Sequence, residues 1–525
     1  MDFGYSIIQG ANLPAVIGSL IVALLAGIFI YNLYQRPKKK LAETILKSHL
    51  RQANKLQEEG LYTAALDLLS HLFGQASDKK HSQIYGEAKN IEGICFSKLS
   101  LVNHKEDNLQ KAIQAYQEAL NVGTLKKYPI DYAIIQNNLG NAYIALSEVR
   151  DSADNLQKAI RVYEEALNVR TVEKYPSDYA TTQGNLGNAY RAFSEVRDKE
   201  INLQRAIQAF ETALKVRTVE EYPIDYAIIQ NNLGNAYTTL SEVRDKEDNL
   251  QKAIRVYEEA LKVRTVEKYP ADYATTQSNL GNAYSILSEV RDEEDNVIKA
   301  IRAYEEALSI RTVDKYPTDY AATQSNLGNA YSILSEVRDT EDNVTKAIRA
   351  YEEALRVRTV DKCPIDYATT QNNLGSAYSI LSEVRGKEDN VIKAIRAYEE
   401  ALSVRTVDKF PTDYAATQSN LGNAYSILSE IRDTEDNVKK ALRAYEEALR
   451  VSTVDEYPID YATTQNNLGN AYTTLSEIRD TEDNVQKAIQ AYEEALKVFT
   501  DDKYPIRNKA VRENLNKVRP TKADP

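Results

Sequence analysis

Apolar and polar positions along most of this chain recur with a fixed period of 47 residues. Residues 128–174 show the unit. Its proline, Pro129, returns at Pro176, Pro223, Pro270, Pro317, Pro364, Pro411, Pro458 and Pro505, with no insertion or deletion. A constant interval marks stacked supersecondary units, each too small to bury its apolar face alone. The register also runs backward, since Tyr85 and Gly93 stand one period before Tyr132 and Gly140. Nine units therefore occupy 81–503, and Asn514-Leu515 carry the register into a partial tenth.

Each unit reads as two helices. In the first, about 129–149, Tyr132, Gln136, Leu139, Tyr143 and Leu146 follow at steps of four and three and so share one face. Pro129 suits the opening turn, where its missing N–H is not needed. The second helix, about 155–170, has the stripe Leu156, Ala159, Ile160, Tyr163, Ala166, Leu167. Asp154 with Gln157, and Asp248 with Gln251, have the spacing of a capping box at its start. The residue before each proline is pushed out of the helical region, which ends the second helix by about Tyr175. Gly140 and its equivalents stand inside the first helix, at about 1 kcal/mol each against alanine. Their recurrence predicts a neighbouring helix too close for a Cβ.

The run Asn138-Leu139-Gly140-Asn141-Ala142-Tyr143 resembles the first-helix signature of tetratricopeptide (TPR) repeats, and Ala159, Tyr163 and Ala166 resemble the small-aromatic-small trio of the second helix. That family's usual period is about 34 residues. The longer unit here is similar to kinesin-light-chain-type repeats and to long-period repeats of bacterial, especially cyanobacterial, proteins. The resemblance implies an all-α, right-handed TPR superhelical solenoid whose first helices line a concave surface. A stack of this kind grows its core by addition, so 525 residues need not mean several domains.

The N-terminus differs in kind. Residues 13–33 form an uncharged apolar run, followed by Arg36, Lys38, Lys39 and Lys40. About 20 apolar residues span a bilayer as a helix. No positive charge precedes the run and no small-residue cleavage site follows it, so a retained transmembrane helix is favoured over a signal peptide. The basic cluster after the span puts residues 1–12 outside and the array in the cytoplasm. The chain thus divides into a short extracytoplasmic N-terminus (1–12), a transmembrane helix (13–33), a basic juxtamembrane segment (34–40), a divergent capping helix pair (41–80), the nine units (81–503), and a C-terminal capping helix and tail (504–525).

Net charge is −12, and the basic cluster at 36–40 leaves the array more acidic still. An acidic array without basic clusters argues against nucleic acid as a partner. The two cysteines, Cys95 and Cys363, lie six units apart, too far for a disulfide within one chain. All four histidines fall between 41 and 104, none at metal-ligand spacing from another, and there is no phosphate-binding glycine loop. No catalytic residue, metal or cofactor is expected, and the chain is not read as an enzyme. The tyrosines, four positions per unit, lie on packing faces and read as core.

The remaining face of the first helix carries an amide column. Positions 134, 138, 141 and 145 point away from 132, 136, 139 and 143. The column comprises Asn138, Asn185, Asn232, Asn279, Asn326, Asn373, Asn420 and Asn467, together with Asn141, Asn188, Asn235, Asn282, Asn329, Asn423 and Asn470, Ser376 standing in one place. Two readings stay open. The amides hydrogen-bond between repeats as part of the fold, or they grip the backbone of an extended partner, as the resemblance to the TPR superhelix of O-linked N-acetylglucosamine transferase implies. The functional expectation is a membrane-anchored scaffold for protein or peptide partners at the cytoplasmic face. The alternatives are a targeting or import-type receptor, and the regulatory subunit of a signalling system. TPR receptors of that type clamp a carboxylate with Lys and Arg, whereas the matching positions here are Ile134, Asn137 and Asn138, with Arg191 an isolated exception.

Overall fold

The computed structural model describes residues 42–75, 82–122 and 128–519. The segment 13–33, read above as a transmembrane helix, lies outside them. Among the described residues no helix is long and apolar enough to cross a membrane. These residues form helices and no strands, and the chain divides into two compact units, 1–243 and 244–525.

In the first unit, α1 (described over 42–58) and α2 (Tyr62–Gln75) precede the periodic pairs. These are α3 (Ser82–Leu99) with α4 (Lys105–Val122), α5 (Pro129–Ser147) with α6 (Ser152–Leu167), and α7 (Pro176–Ser194) with α8 (Lys199–Leu214). The last helix is α9 (Pro223–Leu240). The second unit opens with α10 (Lys246–Leu261). It continues with α11 (Pro270–Ser288) and α12 (Glu293–Ile310), α13 (Pro317–Val337) and α14 (Thr340–Leu355), and α15 (Pro364–Val384) and α16 (Lys387–Leu402). It ends with α17 (Pro411–Ser429) and α18 (Thr434–Leu449), α19 (Pro458–Ser476) and α20 (Thr481–Val498), and the single helix α21 (Pro505–Val518).

Proline occupies the first turn of every first helix from α5 onward. The residue before it lies outside the helical region, as at Tyr175 with φ −139° and ψ 60°, because the proline ring disfavours helical backbone there. The second helices start three residues earlier than the sequence pattern suggests and stop one to three residues earlier, as at 152–167 rather than 155–170 in the second pair. The capping boxes do not form. Asp151 adopts the left-handed conformation at φ 47°, and its carbonyl accepts the first helical bond from Asn155 N–H. Asn155 Nδ2 then donates back to the Arg150 carbonyl at 2.8 Å, which clamps the turn. Asp154, placed one turn inside the helix, pairs with Lys158 instead. Asp248 pairs likewise with Lys252, and Gln251 donates to Glu247 rather than to a cap. The same left-handed position is Gly386 in one unit, where no Cβ opposes it. At the far end, the N–H groups of Val169 and Arg170 both turn back to Ala166 O, tightening the last turn.

The core is continuous between neighbours. One cluster joins Val297, Ala300, Ile301 and Tyr304 of α12 to Leu327, Ala330 and Leu334 of α13 and Ala350 of α14. Consecutive first helices touch, as α5 with α7 and α13 with α15, while among the described residues consecutive second helices do not. Within each compact unit, first helices therefore crowd together and second helices stand apart. Gly140 has a close neighbour, as expected, but it is a ring rather than a helix backbone. A Cβ there would lie 2.6 Å from Tyr163 Cε1, and Gly281 meets Tyr304 in the same way. Each glycine makes the slot for the buried aromatic of its own unit's second helix.

Candidate functional site

The site is built on the exposed side of the first helices. Along α5, Gln136, Leu139 and Tyr143 are buried, whereas Ile134 and Asn141 are exposed and Asn138 is half-buried. Tyr132, placed on the packing stripe by the pattern, is half-buried, and its hydroxyl donates to Glu165 at 2.8 Å. The aromatic positions are packing residues. Tyr163, Tyr257, Tyr304, Tyr351, Tyr445 and Tyr492 are among the largest fully buried side chains.

Each amide of the column is divided between two roles. The carbonyl oxygen of an Asn141-type residue accepts the buried tyrosine hydroxyl of its own unit, as Tyr163 to Asn141 at 2.6 Å, Tyr351 to Asn329 at 2.7 Å and Tyr445 to Asn423 at 2.8 Å. Ser376 serves the same hydroxyl of Tyr398 at 3.2 Å. That carbonyl oxygen also accepts Nδ2 of the Asn138-type residue in the next unit. Asn232 donates in this way to Asn188, Asn326 to Asn282, Asn373 to Asn329 and Asn467 to Asn423, at 2.9–3.2 Å. Where that bond is absent, Nδ2 reaches instead to the amide one residue earlier in the preceding unit's motif. Asn138 reaches Asn90, Asn185 reaches Asn137, and Asn420 reaches Asn372. Asn235 and Asn279 also have polar partners. The amide oxygens thus hold repeat to repeat. The Nδ2 groups of Asn188, Asn282, Asn329, Asn423 and Asn470 meet no protein acceptor among the described residues; Asn423 and Asn470 are exposed and the other three half-buried. The result is a set of N–H donors in five of the repeats; Ser376 supplies none in its own repeat.

Two polar features escaped the sequence reading. Arg170, Arg217, Arg264, Arg311 and Arg405, just past the second helices, are buried. Arg311 bridges two first helices, donating to Thr323 of α13 at 2.8 Å and to Thr275 of α11 at 3.1 Å, and Arg405 does the same with Thr417 and Thr369. Burial pulls the guanidinium of Arg311 below its ordinary range, and the carboxylate of Asp319 partly offsets this. The recurrence of arginine at this place in six repeats, from Arg170 to Arg405, was the available signal. On the opposite edge, the inter-helix loops are joined by ion pairs such as Arg338 with Glu294 and Arg385 with Glu341. These pairs are solvent-exposed and each contributes little. Among the described residues no group of His, Cys, Asp or Glu could hold a metal ion.

The fold and this face define a stacked helix-pair repeat. Residues 133–172, 227–265 and 462–502 match the family model of the tetratricopeptide repeat, so the chain carries repeats of that kind. No curated protein matches the sequence. Among solved structures, the C-terminal part of a TPR repeat-containing protein from Cytophaga hutchinsonii is 16% identical, covering 62% of this chain and 99% of that one, with a TM-score of 0.38. The apo form of RapI is 12% identical over 78% of this chain and 97% of its own, with a TM-score of 0.44. The human IFIT1 dimer with PPP-AAAA is 15% identical over 86% of this chain and 89% of its own, with a TM-score of 0.39.

Proposed function

We propose that the chain is a non-enzymatic TPR-type scaffold that holds protein partners along the amide-lined side of its first helices. In this reading residues 13–33 tether it to a membrane with the array on the cytoplasmic side. The observation that carries the reading is the row of uncommitted Nδ2 donors at Asn188, Asn282, Asn329, Asn423 and Asn470. A primary amide donor matches the carbonyl of an extended peptide, and each such bond contributes about 0.5–1.5 kcal/mol net. Binding then comes from several units at once and depends weakly on salt. The membrane tether is supported by the length of the apolar run and the basic residues after it.

Because the amide oxygens also hold the fold together, the binding surface is best tested by filling it. Ala416 is exposed on the same side of α17, and Ala322 lies at the equivalent place on α13. Ala322→Trp with Ala416→Trp should remove the partners co-purified from membranes, whereas Arg349→Trp on the outer side of α14 should not. An unchanged set of partners in the double variant contradicts the proposal. For the tether, protease added to right-side-out vesicles should spare the array, and digestion from outside would reverse the orientation.

A further inference from the structure

The arginine that recurs from Arg170 to Arg405 is replaced by Gly123 at the start of the array and by Ser452 and Phe499 at its end. Arg217 shows the occupied form. Its Nη2 donates to the Ser177 carbonyl and hydroxyl and to Thr181 Oγ1, its Nη1 lies 3.2 Å from Asp225, and its guanidinium sits 4.3 Å from the Tyr222 ring centre. Two periods earlier, the residues at those four contact places are Gln83, Glu87, Asp131 and Tyr128, while the place of the arginine is held in the sequence by Gly123. All four line one cavity of about 390 Å³ beside α1, α3 and α5. The pocket around Arg217 itself measures about 140 Å³. The first repeat thus keeps those walls around a larger cavity, while its sequence has glycine at the arginine's place.

The walls have also changed in the direction a foreign cation requires. A threonine hydroxyl at 181 corresponds to the carboxylate of Glu87. Burial raises the pKa of Glu87, and the charge of Asp131 adds to the effect. Arg51 also lines the cavity, and Lys47 acts on Glu87 from α1, so the site is not purely acidic. A planar guanidinium differs from an ammonium here because it can stack on Tyr128 while forking between two carboxylates.

We propose that this cavity takes the side chain of an arginine presented by a partner protein. The inference rests on the reading that the first-helix side is the working surface, and it adds an anchor at the N-terminal end of the array. The probe is a capped Gly-Arg-Gly tripeptide titrated calorimetrically against the full chain, with the citrulline and lysine analogues alongside. The arginine peptide should bind saturably, about tenfold or more tighter than the citrulline peptide, which keeps the shape and loses the charge. The lysine peptide should be intermediate. Glu87→Gln with Asp131→Asn should lose the preference. Equal binding of the arginine and citrulline peptides, or an unchanged preference in a folded Glu87→Gln, Asp131→Asn chain, overturns the proposal. Failure of the tripeptide while Ala322→Trp with Ala416→Trp still releases partners would reject this anchor and leave the scaffold reading standing.

Discussion

Glycine to alanine inside a helix ordinarily stabilises, by about 1 kcal/mol. In this chain the sign should depend on which glycine is changed. A Cβ on Gly281 would stand 2.7, 2.8 and 3.0 Å from Cε1, Cδ1 and Cζ of Tyr304. Carbon atoms in good contact sit about 3.5–4.0 Å apart, so the ring must retreat by roughly 0.5–1 Å. It has little room to do so. Tyr304 is 2% exposed, is packed within the cluster of Ile301, Leu327 and Leu334, and is held at its hydroxyl by Asn282. Overpacking of this kind costs about 1–3 kcal/mol, and with three ring atoms in conflict the upper part of that range applies. After subtracting the helix-propensity gain, Gly281→Ala should destabilise by about 1–2 kcal/mol. Gly184, inside α7, has nothing within 4 Å of its would-be Cβ. Gly184→Ala should therefore stabilise by about 0.5–1 kcal/mol. A stacked array need not unfold in one step, so hydrogen exchange in α11 and α12 measures the magnitude and urea unfolding followed by circular dichroism gives the direction. In a Tyr304→Leu background the penalty of Gly281→Ala should vanish, since the ring that causes it is gone. If Gly281→Ala stabilises as Gly184→Ala does, the slot reasoning is wrong.

The divided amides make Asn329→Ala costly, by about 1–3 kcal/mol, because Tyr351 loses its shorter hydroxyl partner, keeping only Ser332 at 3.3 Å, and Asn373 its neighbour. Asn329→Ser should cost less, as native Ser376 already serves Tyr398, and thermal melting of the two variants checks the order. Arg311→Lys keeps the charge but cannot fork between Thr275 and Thr323, and should lose about 1–2 kcal/mol, read by the same melting measurement. Burial pushes Tyr351 and Tyr445 up to about 12, against about 10 for an unfolded tyrosine. The folded state then holds protons that the unfolded chain has released, so stability is complete below about pH 10 and falls as pH rises toward 12. Phenolate absorbance should appear together with loss of helicity, and early ionisation without unfolding would contradict the burial.

The parts of the fold legible in the sequence are those fixed by local sterics and by periodicity. Pro129 and its equivalents open helices because a ring that sets φ and lacks an N–H has few other places to stand. The exposed side of α5 was likewise readable from the angular step of the helix. The start of α6 was not, since Asp154 with Gln157 is a legitimate capping pattern. The competing turn, with Asp151 left-handed and Asn155 reaching back to Arg150, appears only once the chain is folded. Arg170 was missed for a related reason. An arginine near a helix end is usually solvated, and its burial depends on hydroxyls supplied by the following first helix at Thr182. For the amide column, sequence offered repeat-to-repeat bonding and partner binding as alternatives. The geometry shows how one side chain can serve the first through its oxygen and leave its nitrogen for the second.

The most direct test of the scaffold reading is site-specific photo-crosslinking from membranes. A benzoylphenylalanine placed at Ala322 or Ala416, on the open side of the first helices, should trap the same partner. Placed at Arg349 or Arg443, on the second helices, it should trap none. Crosslinks confined to the second-helix positions would show that the partner rides on the outer side and that the amide column serves the fold alone.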